Sequence, residues 1–92
     1  MPYIEEFHPQ IKRDLKILDK SLAKNIFLHF DKILENPFLY KQLINYKPPV
    51  YSYKFFHNNT NYRIAFRVIN NTVRFLKITT RQNFYDDLSN RL

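Results

Sequence analysis

The chain has 92 residues with no cysteine and no glycine, and its 15 Lys plus Arg exceed its 8 Asp plus Glu, which gives a net charge of +7. This length predicts one domain, residues 1–92, and the absence of cysteine excludes disulfides and zinc-knuckle sites. The basic balance favours an anionic partner: nucleic acid, a membrane surface or an acidic protein.

Targeting signals are not evident. The N-terminal stretch "MPYIEEFHPQ" is acidic and lacks the apolar core of a signal peptide. No stretch reaches the roughly 18–20 apolar residues that a membrane span needs. We therefore expect a cytoplasmic protein that does not associate with a membrane.

The N-terminal half predicts a short strand and then two helices. Residues 3–7 alternate like a strand, and residues 8–20 predict a helix whose apolar side is Ile11, Leu15 and Leu18. The outward residues of that helix are Lys12, Arg13, Asp14 and Lys16. Ser21 is the expected N-cap of a second helix, which ends at "ENP" before Pro37. The apolar stripe of the second helix is Leu22, Ile26, Phe30, Ile33 and Leu34. The short connection between the two helices predicts an antiparallel helix hairpin.

The C-terminal half changes to a period of two from Val50 onward. After a turn of helix and a loop, strands are predicted at residues 50–57, 62–69 and 72–79, and a short helix within residues 81–92. The connections are "NNTN" and "NN". Because Asn tolerates positive φ better than any residue except glycine, these asparagines are expected to form the tight turns.

The turn lengths predict a strand register. A two-residue turn at Asn70–Asn71 pairs Ile69 with Thr72 and places Arg67 opposite Arg74 and Arg63 opposite Ile78. A four-residue turn at "NNTN" pairs His57 with Tyr62, Phe56 with Arg63, and Lys54 with Ala65.

Alternation then sorts the side chains onto two faces. The apolar face, expected to receive the helices, holds Tyr51, Tyr53, Phe55, Tyr62, Ile64, Phe66, Val68, Val73 and Phe75. The other face, expected to be uncovered, holds Lys54, Arg63, Arg67 and Arg74 beside Phe56, Leu76 and Ile78. Since like charges directly opposite each other are destabilising, this basic face favours a bound anion.

Several stretches together resemble the RelE/ParE superfamily of bacterial toxins. They are "FHPQIKRDLKILDKSLAKNIFLHFDKILENP", then "YKFF" and "YRIAFRV", then a basic residue shortly before a Tyr. The resemblance covers nearly the whole chain. It implies an α+β fold of the microbial-ribonuclease type, with element order β-α-α-β-β-β-α and the helix hairpin packed on one face of an antiparallel twisted sheet.

The resemblance, favouring the RelE-like branch, implies the toxin of a type II toxin–antitoxin pair. RelE-like toxins cut messenger RNA in the ribosomal A site, where the ribose 2′-OH attacks the adjacent phosphate. Carried over by position, the catalytic residues are Lys54, Arg63, Arg81 and Tyr85. The implied partners are the cognate antitoxin, messenger RNA and the ribosome, with operator DNA reached through the antitoxin complex; no cofactor is implied.

Further candidates come from the basic face and the histidines. Arg67, Arg74, Phe56 and His57 are expected to bind RNA, whereas His8 is placed at a helix start and His29 on a helix exterior. The acidic pairs Glu5–Glu6 and Asp86–Asp87 have no His or Cys at ligand spacing, so we expect no metal site.

Two departures from the family pattern keep alternatives open. Phe56 replaces a second basic residue, and Asn61 replaces the glycine that usually precedes the Tyr-Arg pair. A ParE-like inhibitor of DNA gyrase without cleavage chemistry, or a degenerate member that only binds its antitoxin, therefore remains possible. Plain structural roles also fit: Arg63 as an exposed strand residue and Tyr85 as a core anchor of the last helix.

Overall fold

A computed structural model describes residues 3–86 and 88–92. The strands are β1 (Ile4–Phe7), β2 (Lys41–Gln42), β3 (Val50–His57), β4 (Thr60–Ile69) and β5 (Thr72–Thr80). The helices are α1 (Ile11–Ile17) and α2 (Lys20–Glu35), and 3₁₀ turns lie at Pro37–Leu39, Arg81–Asn83 and Leu88–Arg91.

The strands form a five-stranded sheet in the order β1-β5-β4-β3-β2. β1 pairs with β5 in parallel, and the other neighbours are antiparallel. This arrangement confirms the predicted α+β class with its N-terminal helix hairpin. Two details differ from the predicted order: the short β2 precedes β3, and 3₁₀ turns replace the last helix.

The second helix begins two residues earlier than predicted. Asp19, not Ser21, is the N-cap of α2, and its carboxylate accepts a hydrogen bond from the backbone N–H of Ser21 at 3.1 Å. Capping by a side chain that accepts from the second helical residue satisfies one of the free N–H groups at a helix start. The helix ends at Glu35, as expected from the Asn36-Pro37 sequence.

The main core lies between the helices and one face of the sheet. The predicted stripe of α2 supplies its buried side chains Leu22, Ile26, Phe30 and Ile33. They pack with the predicted apolar face, of which Tyr51, Tyr53, Ile64, Phe66, Val73 and Phe75 are buried and Phe55, Tyr62 and Val68 partly buried. The predicted division of the sheet into two faces is therefore confirmed for these residues.

Asparagines form the tight turns, as predicted. Asn58, Asn59 and Asn70 have positive φ values of 47°, 62° and 56°. The β3–β4 turn, however, contains only Asn58 and Asn59, so His57 pairs with Thr60. The predicted four-residue turn was wrong. The predicted assignment of side chains to the two faces of the sheet is still correct. The register error is two residues, and side chains alternate faces with a period of two.

A bulge in β5 alters the second hairpin. Pairing follows the prediction from Ile69–Thr72 to Phe66–Phe75, but Ala65 then pairs with Lys77. The extra residue, Leu76, reverses the alternation. Ile78 therefore turns toward the helices and is buried there, and Arg63 lies opposite Thr79. The predicted pairing of Arg63 with Ile78, and the placement of Ile78 on the basic face, were both wrong.

The face away from the helices is not uncovered. The C-terminal segment (residues 81–92, described except for residue 87) and the loop before β3 lie across part of it. They form a second buried cluster with the sheet, consisting of Leu43, Val50, Ala65, Leu76, Phe84 and Leu88. Lys77 fastens the same segment, because its ammonium group donates to the backbone carbonyls of Asn83 and Asp86.

A buried ion pair connects the C-terminal segment to α1. Arg91 donates to both carboxylate oxygens of Asp14, at 2.7 and 3.0 Å, and to the carbonyl of Leu76 at 3.0 Å. The Asp14 carboxylate also accepts from the backbone N–H of Ile78 at 3.0 Å. The prediction that Asp14 points outward was wrong, because this network at the β5 edge satisfies the carboxylate in the interior.

We expect Asp14→Ala to lower the free energy of unfolding by about 3–5 kcal/mol, since it leaves the buried Arg91 charge without its partner. Urea denaturation measures the change. Lys12→Ala, on the exposed side of the same helix, is the matched control and should change stability by less than about 0.5 kcal/mol. The double substitution Asp14→Leu with Arg91→Met should recover most of the loss. Equal effects of Asp14→Ala and Lys12→Ala would contradict the role of the pair.

Candidate active site

Three neighbouring strands bring three of the carried-over residues together. The β3–β4 pairing places Lys54 directly opposite Arg63, so both side chains lie on the face away from the helices. Arg81 directly follows β5, whose last residue Thr80 pairs with Tyr62. Lys54, Arg63 and Arg81 line one depression of about 210 Å³ together with Asn61 and Tyr62.

The charges of this depression are all positive. Among the described residues, the ion pairs are Arg74–Glu6 and Arg91–Asp14. Neither pair includes a cation of the depression, and none of the carboxylates of residues 3–86 and 88–92 lines it. Three unneutralised cations around a small depression favour an anion with several oxygens, such as a phosphate group.

The guanidinium of Arg63 lies over the aromatic ring of Phe84. Its guanidinium carbon lies 5.4 Å from the centre of the Phe84 ring, which is fully buried. The Nε atom of Arg63 is buried and has no hydrogen-bond partner. The ring contact uses none of the hydrogen-bond donors of the guanidinium, so its terminal nitrogens, unlike the buried Nε, are left for a ligand.

Tyr85 lies beside this arrangement but does not line the depression. It is 58% exposed and contacts Phe84 edge-on, with ring centres 5.0 Å apart. Phe84, not Tyr85, anchors the C-terminal segment in the core. Sequence reasoning missed this role of Phe84.

Arg67 and Arg74 face each other as predicted, but each has a partner inside the protein. Arg74 lies beside Glu6 on the parallel neighbour β1, with an N–O distance of 3.4 Å. Arg67 is only 9% exposed and donates to the backbone carbonyl of Leu92 at 3.4 Å. These contacts offset the repulsion between Arg67 and Arg74, so the pairing of the two arginines does not require a bound anion.

Phe56 and His57 lie on opposite faces of the sheet. Phe56 is 63% exposed and pairs with Asn61 on the face that carries Arg63. His57 turns toward the helices, where its Nε2 is 2.9 Å from the Ser21 hydroxyl. The structure therefore brings Phe56, but not His57, to the face of the candidate site.

The tip of the β3–β4 hairpin is fixed to the start of α2. The Asn58 amide donates to the Asp19 carboxylate at 3.0 Å. Hydrogen bonds from the Ser21 backbone N–H and from the Asn58 amide lower the pKa of Asp19 below its usual value. The charged carboxylate thus holds the hairpin that carries the site.

His29 is not on the helix exterior, contrary to expectation. Its Nδ1 is 2.7 Å from the Tyr53 hydroxyl, and its ring stacks on Phe55 with centres 4.1 Å apart. Burial, followed by the nearby Lys32 and His57, lowers the pKa of His29. The ring packs against the helix-side face of the sheet, away from the depression.

Asn61, like Tyr62, lines the depression although the sequence prediction did not assign it to RNA contact. It lies beside Arg81, because the pairing of Tyr62 with Thr80 brings the preceding and following residues together. The two-residue turn was the signal that could have located it.

Within residues 3–86 and 88–92, no group of three His, Asp or Glu is placed to hold a metal. No helix of the same residues has the length and apolar content to cross a bilayer. Asp87, half of the predicted acidic pair, lies outside the described residues.

The family model of the ParE-like toxin of type II bacterial toxin–antitoxin systems matches residues 6–89. The chain belongs to this family. No curated protein sequence matches the toxin.

Solved structures share the fold of the toxin. A mutant of E. coli toxin RelE in the free state has a TM-score of 0.75 and 16% identity, covering 99% of this chain and 94% of that chain. A chain of the toxin–antitoxin complex RelBE2 from Mycobacterium tuberculosis has a TM-score of 0.68 and 21% identity, covering 88% and 100%. The E. coli RelE mutant in complex with an antitoxin RelBc peptide has a TM-score of 0.69 and 18% identity, covering 100% and 96%. The toxin therefore has a RelE-like fold.

We expect the thermal stability of the toxin to fall as the pH is lowered through about 6.5, the ordinary pKa of histidine. Because burial in the folded state lowers the pKa of His29 below 6.5, the unfolded chain binds more protons than the folded toxin between the two pKa values. The contribution is complete above pH 6.5 and is lost as the pH falls through the folded-state pKa. Melting curves of His29→Gln should show a shallower slope, with a remainder from His8, whose pKa burial also lowers. Identical slopes for the two proteins would contradict this assignment.

Proposed function

We propose that the toxin is a metal-independent endoribonuclease that cleaves messenger RNA on the ribosome and thereby inhibits translation. The observation that carries the proposal is the depression formed by Lys54, Arg63 and Arg81, which no carboxylate in the described part of the chain neutralises. The RelE-like fold supports the choice of substrate, since RelE toxins are among the structures that share it.

The strand order fits attack of the ribose 2′-OH on the adjacent phosphate. Arg63 on β4 lies between Lys54 on β3 and Arg81 at the end of β5. An in-line displacement needs charge stabilisation at the equatorial oxygens and proton transfer at the two ends. We assign Arg63 to the equatorial oxygens of the phosphorane, Lys54 to the side of the attacking 2′-OH, and Arg81 to the side of the leaving 5′ oxygen. Tyr85, next to Phe84, is assigned to the same leaving side.

An antitoxin is the expected regulatory partner. Related folds occur in toxin–antitoxin complexes from E. coli and Mycobacterium tuberculosis. The toxin carries a net charge of +7, so an acidic segment of an antitoxin would bind the depression and block phosphate entry. Through such a complex the toxin would reach operator DNA, and it would act in the cytoplasm, where the ribosomes are.

Two alternatives without cleavage chemistry are supported by the same observations. Phe56 occupies the position of a second basic residue on the site face and is largely exposed there, and Tyr85 does not line the depression. A site short of proton-transfer groups would suit a ParE-like protein that inhibits DNA gyrase by binding, or a member that only binds its antitoxin.

Induced expression without antitoxin should stop protein synthesis before DNA synthesis, because cleavage of messenger RNA acts directly on translation. Pulse-labelling with radioactive amino acid and thymidine measures both rates in the same culture. An earlier fall in DNA synthesis, accompanied by cleaved gyrase complexes, would favour the ParE-like alternative.

Arg63→Ala should lower the single-turnover rate of messenger RNA cleavage on programmed ribosomes by about 10²–10³, the usual loss for one preorganised charge-stabilising donor. Arg63→Lys should recover only part of the rate, because an ammonium lacks the two-pronged geometry of guanidinium. Loss of stacking on Phe84 should cost only about 0.5–1 kcal/mol of stability.

Arg74→Ala is the matched control, since Arg74 belongs to the same hairpin but lies outside the depression, beside Glu6. It should retain cleavage near the wild-type rate. Thermal melts of all variants separate catalytic from structural effects. Cleavage by Arg63→Ala at the wild-type rate would show that the depression is not the active site.

A further inference from the structure

The outer face of α2 carries a stripe of exposed side chains at intervals of three or four residues, with two neighbouring residues at its centre. This spacing places side chains on one side of a helix. The members of this α2 stripe are Lys20, Lys24, Phe27, Leu28, Asp31 and Glu35. The central Phe27 and Leu28 are 55% and 62% exposed. The α2 stripe is therefore basic at its N-terminal end, apolar in the middle and acidic at its C-terminal end.

The charges of the α2 stripe are unfavourable within a single chain. Lys20 lies in the first turn of α2, where the helix dipole favours acidic residues, and Glu35 lies in the last turn, where it favours basic ones. The two lysines are four residues apart, as are the two carboxylates, and like charges at this spacing repel each other. The ion pairs among residues 3–86 and 88–92 involve other side chains, so none of them offsets this arrangement.

The α2 stripe is complementary to a second copy of itself that runs in the antiparallel direction. A two-fold axis between Phe27 and Leu28 brings each of these residues against the other residue of the second copy. Lys24 and Asp31 are equally far from this axis in the sequence, so each lies opposite the other of the second copy. The same holds for the outer lysine and the outer carboxylate. Two-fold symmetric interfaces require this kind of self-complementary surface.

The net charge of +7 does not prevent such an association. Salt screens the repulsion between two copies beyond about 8–10 Å at physiological ionic strength, whereas opposite charges in contact are much closer than that. A parallel pair of helices would place like charges opposite each other, which is unfavourable. The charge pattern therefore selects the antiparallel direction.

We propose that the toxin forms a two-fold symmetric dimer in which α2 packs antiparallel against α2 of a second copy. One pair of 16-residue helices buries less than the standard interface of about 1,600 Å², so the dimer is weak, with a Kd on the order of 10–100 µM. Because α2 packs on the sheet face opposite to Lys54 and Arg63, both depressions stay accessible in the dimer.

Sedimentation equilibrium of the purified toxin, over concentrations that bracket this Kd, measures the dimer fraction. Lys24→Glu places two carboxylates opposite each other at both symmetric contacts, and Asp31→Lys does the same with two ammonium groups. Each variant should therefore weaken the dimer at least about tenfold. The matched controls are Lys12→Glu and Glu5→Lys, which make the same changes of net charge at exposed positions outside the α2 stripe. Both controls should dimerise like the wild type.

Combining the two charge reversals tests the antiparallel direction. The double variant Lys24→Glu with Asp31→Lys restores opposite charges at both contacts, so it should dimerise close to the wild-type affinity. An equimolar mixture of the two single variants should also recover the dimer, which shows that each variant remains folded.

Two results would overturn the dimer. A wild-type toxin that stays monomeric over the whole concentration range would do so, and would leave the α2 stripe to another partner such as a helix of an antitoxin. Dimers that neither single charge reversal weakens would do so as well, because a different surface would then join the two copies. Neither result depends on nuclease activity, since sedimentation measures only mass.

Discussion

The buried ion pair between Asp14 and Arg91 joins α1, the edge of β5 and the C-terminal segment. β1 pairs with β5 only as far as Phe75, so the edge of β5 beyond that point has no neighbouring strand. There the Leu76 carbonyl and the Ile78 N–H are satisfied by Arg91 and Asp14 instead. A charged pair that is fully hydrogen-bonded offsets the cost of its burial, and removal of one partner leaves a buried charge. The pair therefore closes the edge of the sheet and holds the C-terminal segment in place.

The candidate site depends on that segment. Phe84, buried within it, lies under the Arg63 guanidinium, and Arg81 begins it directly after β5. The extra residue at Leu76 matters as well, because it sets which side chains of β5 face the helices and which face the C-terminal segment. The arrangement of cations is thus fixed by packing on the far side of the sheet from the helix hairpin.

The cations of the toxin fall into two groups: those with a hydrogen-bond or ion-pair partner inside the protein, and those that line the depression. Arg67, Arg74 and Arg91 have contacts within the protein, to the Leu92 carbonyl, Glu6 and Asp14. Lys54, Arg63 and Arg81 converge on a depression that is lined by no carboxylate among the described residues. Since a like-charged cluster is costly unless a counter-charge binds, this difference, more than the net charge, is the basis for proposing a ligand-binding site at this end of the sheet.

The sequence by itself determined the features that depend on near neighbours. The apolar stripe of α2, the alternation of β3 and β4, the asparagine turns, the Arg67–Arg74 pairing and the toxin family follow from local spacing and short motifs, because these patterns repeat within one element or across one turn. Only the tertiary structure decided the contacts between distant elements. Asp14 and Arg91 are 77 residues apart, and an isolated acidic residue on a basic helix looks solvent-exposed until its partner is located. The bulge at Leu76, the burial of Phe84 in place of Tyr85, and the positions of His29 and His57 likewise follow from the fit of one layer against another. Alternation and composition carry no information about that fit, which depends on side-chain volume and on backbone groups left unpaired at the edge of β5.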